Sequence, residues 1–175
     1  MAPAPIVLYQ YGDNMFHHRW MDEENNLAFS VTEASNSPTL VVKLHREPKW
    51  AQNHPAILGP EKSWFYLGPS NKPGYVCYGN GQTNHGMVEK FRKQKREGSS
   101  SRYFTSQSGK EYKWKISPTK MECVDGWSTI AIYEISHHEA EYYGKITLKS
   151  AALPLATEIM TSLVLNKMAT DLGWE

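Results

Sequence analysis

The chain has 175 residues, 40% hydrophobic and 21% charged, with a formal net charge of +1. That length supports one well-buried core and is too short for two, so residues 1–175 are read as a single domain and not as a polyelectrolyte. No run reaches the roughly 18–20 apolar residues of a helical membrane span, and MAPAPIVLYQYGD, the first 13 residues, lacks the basic and apolar regions of a signal peptide. The expected location is cytoplasmic, at most peripheral at membranes.

Short aromatic-rich runs separated by Gly, Pro, Asn and Ser clusters predict many short strands. The first two span 5–11 and 15–20. In LAFSVT (27–32), Leu27, Phe29 and Val31 share one face, and in TLVVKLHR (39–46) Leu40, Val42 and Leu44 do the same. Segment 46–62, with three prolines, is expected to be a long surface connection. Further strands are expected at 63–67, 74–79, 86–92 and 102–107. Cys77 and Cys123 lie within apolar runs, and two thiols make no disulfide framework, so both are read as buried free thiols in a reducing compartment. EYKWKI (111–116) turns Tyr112, Trp114 and Ile116 one way and Lys113 and Lys115 the other. Strands at 119–124 and 127–135 follow, then YGKITLK (143–149), with Ile146 and Leu148 on one face.

Such alternation means one buried and one wet face, as in antiparallel sheets. GNGQTNHG (79–86), QSGK (107–110) and DGW (125–127) read as hairpin turns. About twelve strands in one domain must curl or close, because so wide a flat sheet leaves exposed edges. The expected fold is therefore mainly β: an antiparallel β-barrel of about twelve strands closed around or against a C-terminal hydrophobic α-helix.

That helix is expected over 154–172. Pro154 suits a first helical turn and Gly173 a C-terminal stop. Its first half gathers Leu155, Ala156, Ile159, Met160 and Leu163 on one side. Its second half gathers Leu165, Met168, Ala169 and Leu172 on the other. A helix lying on a sheet keeps one apolar stripe. One that changes its apolar face midway needs partners on two sides.

The strand–helix ending YGKITLKSAALPLATEIMTSLVLNKMATD, preceded by EYKWKI and WSTIAIYEI, resembles the tubby C-terminal-like superfamily of tubby domains, phospholipid scramblases and LURP-one-related proteins. More narrowly, it is similar to a small fungal branch of unknown function, found mostly in mushroom-forming species. The resemblance implies strands closed around a central helix. It also implies binding of membranes or partners, since tubby domains bind phosphoinositides through basic strand residues. Glu158, Asn166, Lys167 and Asp171 depart from the family's more uniformly apolar helix.

Charge is distributed unevenly. Residues 90–120 hold ten cations and two carboxylates, a net +8, so the rest of the chain nets −7. A single-sign patch attracts phosphate groups of lipids or nucleic acids. Lys90, Arg92, Lys93, Lys95, Arg96, Lys113 and Lys115 are the candidate ligand-binding surface; an ordinary solvated face is the competing reading. In HHEAE (137–141), His137, Glu139 and Glu141 share one face if the preceding strand continues, a weaker candidate for zinc or manganese. His17 and His18 form another pair, with His18 on the face of Phe16 and Trp20, and folding could bring His17 and His85 together with His137 and Glu139. The glycines of GNGQTNHG could cradle a phosphate, but the lysine and helix of a P-loop are missing. Neither cysteine sits at a helix N-terminus that would activate it.

These observations favour a non-catalytic, cytoplasmic binding module for anionic phospholipid headgroups or another anionic ligand, with no cofactor. The alternatives are a metal-assisted hydrolase or nuclease using the His/Glu cluster, and a protein-interaction scaffold using exposed aromatics near 63–66.

Overall fold

In the computed structural model, which describes residues 2–79, 81 and 83–174, the alternating runs become strands with one buried face. Twelve strands are present among the described residues: β1 (Ile6–Tyr11), β2 (His18–Met21), β3 (Leu27–Ser35), β4 (Val41–Arg46), β5 (Lys62–Tyr66), β6 (Tyr75–Tyr78), β7 (His85–Gly86), β8 (Arg102–Thr105), β9 (Glu111–Ile116), β10 (Lys120–Asp125), β11 (Ser128–Ile135) and β12 (Gly144–Leu148). They form one antiparallel sheet in the order β7-β6-β5-β4-β3-β2-β1-β12-β11-β10-β9-β8. Every pair of neighbours but one is consecutive in the chain. The exception is β1 with β12, where Ile6 faces Leu148 and the two ends of the chain meet in mid-sheet. The connection expected over 46–62 carries a short helix, α1 (Pro48–Ala51), whose Trp50 is buried.

The ladder does not close into a barrel: β7 and β8 are its two edges. Among the described residues one isolated bridge, Lys93 with Tyr103, links the chain leaving β7 to β8, with backbone hydrogen bonds of 3.0 and 2.9 Å. The expected strand at 86–92 is responsible. Pairing stops at Gly86, and Met87–Phe91 coil into one π-helical turn. Met87 and Phe91 are both buried. Four residues apart, they share a face with each other, and apart from Val88 and Lys90, in either a strand or a coil. Coiling is what carries the chain inward across the gap, and the two-residue alternation does not foretell it.

The closing helix, α2 (Ala156–Leu172), starts slightly later than expected, because Pro154 lies in a preceding 3₁₀ turn, Ser150–Leu155. Gly173 ends it in the left-handed region at φ 69°. Its N–H and that of Trp174 return to the carbonyls of Thr170 and Ala169. Every residue from Ala156 to Asn166 is buried, three full turns with no solvent face. Side chains of β4, β5, β9 and β11 reach it, through Arg46, Ser63, Trp114 and Tyr133. Among the described residues, no helix is long and apolar enough to cross a membrane.

Candidate functional site: a basic face on β8 and β9

The β8–β9 hairpin is held from inside. Phe104 and Tyr112 stack with centroids 5.3 Å apart, and Trp114 Nε1 donates to Ser162 Oγ of α2 at 2.7 Å. With Tyr112 and Trp114 pointing inward, the two-residue period turns Lys113 and Lys115 outward. Across the hairpin, Tyr103 stands opposite Lys113, and on its other side opposite Lys93. An outward row therefore runs Lys93, Tyr103, Lys113, with Lys115 two residues further along β9.

Several cations of the +8 segment are matched locally. Lys95 Nζ bonds Glu111 and lies 4.2 Å from the centre of the Tyr103 ring. Lys110 bonds Asp125 at 2.8 Å, and Lys120 approaches Glu122 at 3.8 Å. Glu122 also faces Lys115 across the β9–β10 ladder. Among the described residues, Lys90, Lys93, Arg96, Lys113 and Lys115 have no carboxylate within salt-bridge distance.

Arg92 is placed differently from the surface expected of it. It is buried, and its Nε donates to Asn166 Oδ1 of α2 at 2.8 Å. Burial, reinforced by Arg102, pushes its pKa down to about 10, which still leaves it charged at neutral pH. Arg102 is buried as well and donates to the carbonyls of Ser99 and Ser101. The signal for an inward cation was Asn166, a polar residue in the middle of an apolar helix that needs a buried partner.

Lys90 lies apart from the row. With His85, Phe91, Thr105 and Ser106 it lines a cleft of about 270 Å³ at the gap between β7 and β8. Burial, with help from Lys90, lowers the pKa of His85. Asn80 and Gln82 of the neighbouring GNGQTNHG turn lie outside the described residues.

The His/Glu candidates do not continue a strand. β11 ends at Ile135, and His137–Ala140 form a turn in which Glu139 N–H donates to His137 Nδ1 at 3.3 Å. Among the described residues, no three His, Cys, Asp or Glu side chains gather as a metal site. His18 is buried, its Nδ1–H donating to the Asn14 carbonyl at 2.9 Å. Both thiols are free and buried, and burial raises both pKa values. Near residues 63–66 the aromatics are not fully exposed: Phe65 is buried, and Trp64 and Tyr66 are half-buried on the outer face of β4–β6, where Trp64 lies under Lys43 and Tyr66 stacks on Tyr75 at 4.8 Å.

A family model described as a family of unknown function, DUF6593, matches residues 13–169. No curated protein matches the chain. A protein of Arabidopsis thaliana, known from its X-ray structure, is 14% identical, with 97% of this chain and 93% of that chain covered at a TM-score of 0.40.

Proposed function

The chain belongs to the DUF6593 family, whose function is unknown, and we propose that it is a non-catalytic binding module that docks on anionic phospholipid surfaces. The observation that carries this reading is the outward row Lys93, Tyr103, Lys113 with Lys115, whose lysines lack carboxylates at salt-bridge distance among the described residues. Each lysine near an anionic leaflet contributes about 1 kcal/mol of attraction. Trp127 supports a bilayer over a dissolved anion. It stands fully exposed at the tip of the β10–β11 hairpin, beside β9, and tryptophan favours the headgroup level of membranes. The same reading treats the sheet as a barrel-like shell around α2, with the Lys93–Tyr103 bridge spanning its gap. It also places the domain near the tubby C-terminal-like superfamily on the strand–helix ending.

Co-sedimentation with vesicles tests the proposal. Vesicles containing phosphatidylserine should retain the protein at low salt, and neutral phosphatidylcholine vesicles should not. Lys113→Ala with Lys115→Ala should weaken retention by about tenfold or more, at roughly 1 kcal/mol per lysine. Raising the salt should release the wild type. Equal retention of wild type and double variant, or no retention at low salt, refutes the reading.

A further inference from the structure

A second cavity lies at the other end of the β8–β9 hairpin, where β9 leads into β10, near the C-terminal end of α2. Its volume is about 430 Å³, within the roughly 300–1,000 Å³ typical of small-molecule sites. Ile116, Met121, Tyr133 and Ile135 supply apolar walls, and Lys120 and Lys167 line it as well. No Asp or Glu is among its described lining residues.

Lys167 is the unusual member. It springs from the buried helix, is only partly exposed, and has no carboxylate within salt-bridge distance among the described residues. Its ammonium lies 5.2 Å from the centre of the Tyr133 ring and 5.7 Å from that of Tyr143. Burial lowers its pKa, and Asp171, one turn further along α2, only partly offsets this. A desolvated ammonium beside apolar walls retains a demand for an anion that ring faces and Asp171 only partly offset. The surrounding phenols do not meet it. Tyr133 is held neutral by burial, and its hydroxyl already donates to Gln10 Oε1 at 2.7 Å. Thr170, exposed on the last turns of α2, forms part of the rim.

We propose that this cavity binds an amphiphilic carboxylate, a fatty-acid-like monoanion whose head pairs with Lys167 while its chain lies against Ile116, Met121, Tyr133 and Ile135. The site is separate from the basic face and does not depend on it. The cationic side chains and the apolar walls select together. A neutral alkyl compound satisfies only the walls, an inorganic anion only the lysines, and an alkyl cation is repelled.

Calorimetric titration with sodium dodecanoate below its micelle range, with dodecanol and dodecyltrimethylammonium alongside, tests this. The wild type should bind dodecanoate saturably and more tightly than either comparison compound. Lys167→Met, which keeps the stem and removes the charge, should weaken dodecanoate about tenfold, the loss of one charge-assisted contact, and leave dodecanol nearly unchanged. Thr170→Trp should block the cavity and abolish binding. Should that variant fail to fold, Ser117→Trp on the exposed rim takes its place. The Lys113→Ala, Lys115→Ala protein should bind dodecanoate as the wild type does, which separates this site from the vesicle-docking face. No saturable binding, equal affinity for the alkyl cation, an unaltered Lys167→Met, or loss of dodecanoate in the Lys113/Lys115 variant would each overturn the proposal.

Discussion

Tyr133 of β11 reaches over β12 to Gln10 of β1, and its ring occupies the space where a side chain at position 144 would stand. A Cβ on Gly144 would fall 2.6 Å from the Tyr133 hydroxyl oxygen and 2.9 Å from two ring carbons. The ring is held by its hydrogen bond and by Trp20, 6.0 Å away edge-on. Gly144→Ala should therefore destabilise the protein by about 1–3 kcal/mol, the usual cost of overpacking. An unchanged urea midpoint would show that the ring yields freely. Arg92 and Asn166 make the complementary case, a buried polar contact. Asn166→Ala should cost about 2 kcal/mol, since hydrogen bonds to charged groups contribute in that range, and the loss should appear in the same denaturation experiment.

Among elements, α2 is the one on which the others converge. Its buried polar residues each meet a different part of the shell: Thr157 with Arg46, Glu158 with the Gln107 N–H, Thr161 with Ser63, Ser162 with Trp114 and Asn166 with Arg92. These contacts fix the rotation and depth of a helix whose apolar surface alone has little preference. Leu163 lies among them, fully buried. Leu163→Ala should cost about 2–5 kcal/mol as a cavity forms, and Leu163→Asp should abolish cooperative melting, because the buried charge has no partner. A Leu163→Asp protein with a wild-type melting temperature would contradict the burial of α2. The need for partners on two sides was legible in the face change between Leu163 and Leu165. The identity of those partners was not, because each lies far away in the chain.

For the molecule as a whole, two buried groups shape stability against pH with opposite signs. Burial, followed by weaker contributions from His17 and Lys167 and opposed by the Asn14 carbonyl, lowers the pKa of His18 from 6.5 to about 4. Between those values the unfolded chain takes up a proton that the folded one refuses. His18 thus contributes stability above pH 6.5 that is lost as pH falls toward 4, about 3 kcal/mol in all. His18→Asn should flatten that acid limb in a pH series of urea denaturations, and an unchanged limb would assign it to other groups. Glu158 runs the other way. Burial raises its pKa above 4.5, against the opposing pull of the Gln107 N–H. The folded state then holds its proton more tightly, and stability falls as pH rises from the ordinary glutamate range through the raised value. Glu158→Gln keeps an acceptor for Gln107 and should gain on the wild type as pH rises above 4.5; a constant difference across the series would contradict a raised pKa.

Strand positions other than 86–92, their buried faces and the helix stop at Gly173 follow from the sequence, since alternation, turn residues and a left-handed glycine act over a few neighbouring residues. EYKWKI already turns Lys113 and Lys115 outward in this way. The gap between β7 and β8, the inward turn of Arg92, the burial of His18 and the cavity beside Lys167 were decided only in the tertiary structure. Each depends on what meets a side chain from a distant segment: α2 for Arg92, and the β9–β11 walls for Lys167. Burial and pairing with remote groups set the energy of a charge far more strongly than its neighbours in the chain do.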